Sequence, residues 1–248
     1  MSYSDFEYEL FSRQFILKEF SNEKISKLAD LKITVVGLGG IGSPLCVYLV
    51  SSGIKNLKII DGDLVENSNL NRQILYNIDD IGKKKTEVAK IKLKKINPKI
   101  NIEVINSNIN SKNISVLEKP SIIIDTTDDW KNTKNINEYC VKNSITFLFS
   151  SAIGYDIQVA LFPNNQNLHT CLNCIFPNKE DVDLPRCETI GIYGITAGIA
   201  GLITAQKTLN YLLDLKSEIN TLNLLDTKNE LQQKIKIKKN NNCYMNNI

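Results

Sequence analysis

The sequence has no apolar run of membrane-spanning length, and its opening, MSYSDFEYEL, is acidic and lacks the apolar stretch of a secretion signal. These two absences predict a cytoplasmic protein with no membrane partner. A large excess of either charge is also missing. The net charge is +3, too small an excess to argue for nucleic acid, and much of it sits in the short lysine runs GKKK and IKIKK, which read as solvated faces. Six cysteines scattered over 248 residues do not make a disulfide scaffold. In a reducing compartment they are core thiols, metal ligands or reactive thiols. There is one histidine, His169, and it is not placed to serve as the acid–base group of a hydride-transfer site. Neither an internal repeat nor a second composition regime appears, so residues 1–248 read as one domain.

What is present is alternation. The first thirty residues read as helical. KITVVGLGGIG is an apolar strand running into glycines, SPLCVYLVSSGI a helix with Pro44 in its first turn, and NLKIIDGD a second buried strand. KKKTEVAKIKLKKIN is an amphipathic helix stopped by Pro98, and NIEVINS is strand-like. SIIIDTTDD is a fourth strand with an acidic end, WKNTKNINEYCVKN a helix, SITFLFSSAIG a fifth strand and YDIQVALFPN a sixth. From Pro163 to about Ile190 the pattern stops in a Cys-bearing crossover loop. GIYGITAGIAGLITAQKTLNYLLDL is then a long apolar helix, and TLNLLDTKNELQQKIKIKK two terminal strands around a turn. The expectation is an α/β, Rossmann-like fold: a mostly parallel sheet covered by helices, with C-terminal antiparallel strands.

Gly37-Leu-Gly39-Gly40-Ile-Gly42 follows a strand and opens a helix, the arrangement that lets backbone N–H groups approach a phosphate. Asp61 ends the next strand, where a ribose-binding acid belongs. Alone, this suggests NAD, or a glycine turn with a purely structural role. Three further stretches change the balance. ENSNLNRQIL puts Asn69, Arg72 and Gln73 just after Asp61, DIGKKKTEVA puts Lys85 at a helix start, and IIIDTTDDW puts Asp125 and Asp128 at a strand's C-terminal end. An arginine and a lysine can clamp a triphosphate while an aspartate holds Mg²⁺. A dehydrogenase needs no such clamp, so the set favours ATP.

These stretches, with SRQFIL, VVGLGGIGSP, DGDLVENSNLNRQIL, CLNC and CETIG, occur in the order and spacing of one family. The sequence resembles the ThiF/MoeB/HesA family, bacterial relatives of ubiquitin-activating enzymes, over nearly its whole length. The resemblance implies a homodimeric adenylyltransferase that uses ATP and Mg²⁺. Its substrate would be the C-terminal Gly-Gly carboxylate of a ubiquitin-like sulfur carrier protein, in thiamine or molybdopterin synthesis, with a persulfide-bearing sulfur donor as a further partner. It implies that Gly40 and its neighbours approach the nucleotide, that Asp61 holds the ribose, and that Asn69, Arg72 and Lys85 contact phosphates. Asp128 would bind Mg²⁺, and Arg13 would reach the triphosphate of the neighbouring subunit. Asp129 stands where many members carry asparagine. The alternatives are adenylylation of a peptide C-terminus or tRNA base on the same fold, an NAD(H)-binding oxidoreductase, and an inactive carrier-binding scaffold.

Cys46 and Cys140 fall inside apolar helices and read as core thiols. The resemblance implies a structural zinc on Cys171, Cys174 and a second Cys-x-x-Cys near the C-terminus. Here that pair is Cys243 and Asn246, and asparagine is a poor zinc ligand. The site is therefore a three-cysteine zinc completed by water or His169, or a pair of ordinary thiols where the metal has been lost, or an artefact of local alignment. Cys187 follows Arg186 and precedes a helix, two features that lower a thiol pKa. The resemblance implies a cysteine here that can take part in sulfur transfer, though not all members need it for adenylation. The alternative is an ordinary loop thiol.

Overall fold

The computed structural model describes residues 3–164, 170–177, 187–241, 243 and 245. Its centre is one eight-stranded sheet in the order β3-β2-β1-β4-β5-β6-β7-β8. The strands are β1 (Lys32–Val36), β2 (Asn56–Ile60), β3 (Asn101–Ile105), β4 (Ile122–Asp125), β5 (Thr146–Ile153), β6 (Asp156–Phe162), β7 (Thr221–Asp226) and β8 (Leu231–Lys236). Strands β1 to β5 pair in parallel, and β6, β7 and β8 continue the sheet antiparallel. The strand runs explain this. KITVV, NLKII and IIID are β-branched and almost wholly buried, as strands covered on both faces must be.

The helices are α1 (Asp5–Leu10), α2 (Ser12–Phe15), α3 (Asn22–Asp30), α4 (Gly42–Ser51), α5 (Lys85–Ile96), α6 (Trp130–Lys142), α7 (Leu172–Ile175), α8 (Cys187–Ile190) and α9 (Gly194–Leu212). On one face of the sheet, Leu45 and Leu49 of α4, Leu93 of α5 and Ala200 of α9 pack on Val35, Ile59 and Ile124. On the other, Ile136 and Cys140 of α6 and Leu172 of α7 pack on Ile60, Ile123 and Phe147. Neighbouring strand residues alternate between the two cores, so the sheet is a shared wall. Among the described residues, no helix is long and apolar enough to cross a membrane.

Most of the first thirty residues are helical, in three short helices. Phe11, Phe15 and Phe20 turn inward around Tyr3, and Ser21 starts α3 afresh by accepting a hydrogen bond from the Lys24 N–H. Helix α9 starts later than its apolar run, at Gly194. Gly191 has φ +88°, and Ile192 forms a bridge to Gly154, which holds the segment extended.

Asp125 closes β4 and is fully buried. Its Oδ1 accepts from the Thr127 N–H (3.0 Å) and hydroxyl (2.8 Å), and its Oδ2 from the Thr133 hydroxyl (2.5 Å). Those bonds favour the carboxylate, but burial outweighs them and pushes its pKa up to about 6. The folded state therefore holds this proton more tightly than the unfolded chain, whose carboxyl titrates near 3.9. The stabilisation is complete below about pH 4 and lost as pH rises through 6, an amount of about 3 kcal/mol. We expect Asp125→Asn to lack that slope, so that the difference in unfolding free energy between wild type and variant changes by about 3 kcal/mol between pH 4 and 6. Urea unfolding from pH 4 to 7 checks it, and parallel curves would contradict it.

Candidate functional site

The C-terminal ends of β1, β2 and β4 open onto a cleft of about 430 Å³. Its floor is the glycine loop between β1 and α4. Gly37 turns at φ +91°, and a Cβ on Gly42 would sit 2.0 Å from the Gly37 carbonyl oxygen, so neither position accepts a larger residue without moving the turn. The loop is held from three sides. Asp61 Oδ2 accepts from the Leu38 N–H at 2.7 Å. The Tyr76 hydroxyl donates to the Leu38 carbonyl at 3.0 Å. Thr126 Oγ1 lies 3.1 Å from the Val36 carbonyl oxygen and 2.9 Å from that of Gly37. Gly39 and Gly40 face the cleft at the start of α4.

The residues singled out from the sequence converge here. Asp61, Asn69, Arg72, Gln73, Lys85 and Asp128 all line the cleft with Gly37, Gly39 and Gly40, whereas Gly42 packs against Gly37 beneath the turn and does not line it. Burial raises the Asp61 pKa, opposed mainly by the positive charge of Lys85. Lys85 is the first residue of α5. It is buried, and its Nζ lies 2.8 Å from Asp63 Oδ2. Arg72 is anchored through Nη1 to the Ser68 carbonyl (2.7 Å) and Asn71 Oδ1 (3.1 Å). Gln73 is buried, with Oε1 lacking a hydrogen-bond partner. The segment carrying these groups is tied to α4 by the Leu75 N–H, which donates to Ser43 Oγ at 2.7 Å.

The acidic end of β4 sorts into three roles. Asp125 shapes the turn. Asp129 caps α6, accepting from the Asn132 backbone (3.1 Å) and side chain (2.7 Å). Asp128 is exposed on the cleft wall. Among the described residues, the lining holds two cations, Arg72 and Lys85, and five carboxylates, Asp61, Asp63, Glu66, Asp128 and Asp129. Arg13 on α2 is exposed and does not line its own chain's cleft. Ile192 and Ala197, near the start of α9, close the far side. Sequence reading missed Tyr76, Thr126 and Ser43, whose contacts are all long-range. Thr126 sits inside the DTTDD stretch, which offered the one local hint.

A second cluster lies beside the far end of α6. The sulfurs of Cys171, Cys174 and Cys243 lie within 4.8 Å of one another, and those of Cys171 and Cys243 are 3.7 Å apart. Bonds of about 2.3 Å to a tetrahedral zinc would place sulfurs about 3.8 Å apart, so these thiols fit three corners of such a site. The hydrogen bond between Cys171 and Cys174 does most to lower Cys174 to about 5 and to push the Cys171 thiol up. Helix α6 joins the two places. Its N-terminal Trp130 packs edge-on against Phe176 at 5.1 Å, and Asn137 Oδ1 accepts from the Leu172 N–H at 3.0 Å. His169, Arg186 and Asn246 lie outside the described residues, as does the side chain of Cys187, whose backbone opens α8. Cys46 and Cys140 are buried core thiols, and burial raises both pKa values.

The chain is similar to known proteins. The sulfur carrier protein ThiS adenylyltransferase of Escherichia coli K12 is 27% identical over 243 residues, covering 97% of this chain and 95% of its own. A probable molybdopterin-synthase adenylyltransferase of Porphyra purpurea is 33% identical over 225 residues, and the match spans 88% of this chain but 58% of that longer protein. Among solved structures, E. coli MccB with ATP superposes with a TM-score of 0.83 at 23% identity, over 95% of this chain and 74% of its own, a likeness of fold. The ThiF family profile matches residues 11–245, and the chain belongs to the ThiF family.

Proposed function

We propose that the protein is an adenylyltransferase that uses ATP and Mg²⁺ to activate the C-terminal Gly-Gly carboxylate of a ubiquitin-like sulfur carrier. The observation that carries this reading is the convergence of Arg72, Lys85 and Asp128 on one glycine-floored cleft. An NAD-binding reading leaves that clamp unexplained. Family membership and the E. coli relative that acts on ThiS support the carrier substrate.

The glycine loop brings backbone amides to the phosphates, and Asp61 holds the ribose hydroxyls. Gln73 Oε1 supplies a buried acceptor, and Asn69, Arg72 and Lys85 grip the phosphates. The carrier's carboxylate attacks the α-phosphorus, the bond to the bridging oxygen breaks, and pyrophosphate leaves. No covalent protein intermediate is needed, because the work is to hold two anions together and neutralise the departing charge. Mg²⁺ held by Asp128 would supply part of that charge. The family resemblance of SRQFIL is the ground for assigning Arg13 to the cleft of a second copy in a homodimer, where it would add to the charge of Arg72 and Lys85. Cys171, Cys174 and Cys243 would hold a structural zinc, pinning the crossover segment to the tail.

We expect carrier- and Mg²⁺-dependent ATP–pyrophosphate exchange. Arg72→Ala or Asp128→Ala should each lose about 2–4 kcal/mol of transition-state stabilisation, the size of one preorganised electrostatic group. Binding of NAD with no binding of ATP would overturn the reading.

Cys187 belongs to a later step in this scheme. Its thiolate would attack the acyl carbon of the activated carrier and release AMP, leaving a thioester; the outer sulfur of a persulfide donor would then displace the Cys187 thiolate to give an acyl disulfide, and a second thiol would attack the donor's sulfur, forming a disulfide and releasing the thiocarboxylate. Adenylation itself requires no thiol. Cys187→Ser should therefore leave exchange within a few-fold of wild type and strongly reduce thiocarboxylate on the carrier, read by mass spectrometry. Thiocarboxylate formed at the wild-type rate would make Cys187 a bystander, and loss of exchange in a folded variant would break the separation of steps.

A further inference from the structure

The chain has two methionines, Met1 and Met245. Met245 is 6% exposed and sits in one small buried cluster with Cys171 and Cys243, against which Cys174 and Val141 also pack. A polar tail of asparagines and lysines, KKNNNCYMNN, would ordinarily leave a lone methionine in solvent. Here it is buried in the same cluster as the cysteines. The backbone around it already suits anionic sulfur. The N–H groups of Asn173, Asn240 and Met245 hydrogen-bond to the sulfurs of Cys171, Cys174 and Cys243 respectively. Backbone donors of this kind orient thiolate ligands and spread their charge.

We propose that Met245 supplies the fourth ligand of the cysteine centre. The site is then three thiolates and one thioether, built for a soft d¹⁰ ion, and it favours Cu(I) over Zn(II) more strongly than a four-thiolate site would. The inference rests on the reading of Cys171, Cys174 and Cys243 as metal ligands and deepens it. The residue the family pattern expects to ligate is Asn246, a hard and weak donor to such an ion. The residue the fold buries against the sulfurs is its neighbour. Thioether sulfur is a good donor to Cu(I) and a poor one to Zn(II), whereas thiolates serve both. With Met245 in place of a fourth thiolate the centre carries one negative charge fewer, and a monovalent ion gains relative to a divalent one.

The test compares wild type, Met245→Leu and Cys243→Ser, each full length and reduced. Cu(I) and Zn(II) are titrated separately against competing chelators. Leucine keeps the volume and the packing, so we expect Met245→Leu to weaken Cu(I) binding by about tenfold, the scale of losing one supporting ligand interaction, and to leave zinc within about twofold. Cys243→Ser should weaken both ions. Protein labelled with selenomethionine should show a direct selenium–copper scattering shell in X-ray absorption. Unchanged Cu(I) affinity in Met245→Leu, or absence of that shell, overturns the role of Met245 while leaving the three-cysteine site standing. Equal weakening of both ions by Met245→Leu would assign the residue to packing alone. If wild type takes up neither ion, the three-cysteine reading falls and this inference falls with it.

Discussion

Charge is the constraint on which the proposed reaction depends. A triphosphate brings several negative charges into a cleft that, among the described residues, already holds five carboxylates and two cations. At an effective dielectric constant of about 20, each uncompensated like-charge contact near 4 Å costs about 4 kcal/mol. Arg72 and Lys85 cannot offset that balance, and Lys85 is itself engaged with Asp63. In our reading, further positive charge arrives with the substrate as Mg²⁺ and from Arg13 of a second copy, which would make the chemistry conditional on both.

The rest of the fold serves to hold that cleft still. Asp61 and Thr126, at the ends of β2 and β4, and Tyr76, from the connection between β2 and α5, fix the glycine loop, so its amides are set before a ligand arrives. Asp125 spends its acceptors on the β4–α6 turn and thereby presents Asp128 to the cleft. Helix α6 then runs from that turn to the Cys171–Cys174–Cys243 cluster. A centre that fixes the crossover segment therefore also braces the acidic wall of the cleft, through Trp130, Phe176 and Asn137.

Most of this was legible in the sequence because its signals are local. Buried parallel strands show as IIID and NLKII, and glycines between strand and helix show as GLGGIG. Gly37, Gly39, Gly40, Asp61, Asn69, Arg72, Gln73, Lys85 and Asp128 follow from strand ends and did converge. What stayed hidden depends on contacts across the chain. Asp125 looked like a ligand because it shares a run with Asp128, but only the packing of α6 shows that its oxygens are taken. The break near Ile16 follows from rings closing around Tyr3, and no helix-breaking residue marks it. Met245 carries no signal at all, because its burial depends on where the tail lands.

Mixing two inactive variants tests the shared-charge account most directly. Arg13→Ala and Asp128→Ala damage different chains' contributions to the same site if the cleft is completed in trans. Each purified variant alone should be nearly inactive in carrier-dependent pyrophosphate exchange. Their mixed dimer should recover the activity of one intact site, in which Asp128 comes from one chain and Arg13 from the other. No recovery after subunit exchange has been verified, or full activity of Arg13→Ala alone, would contradict the account.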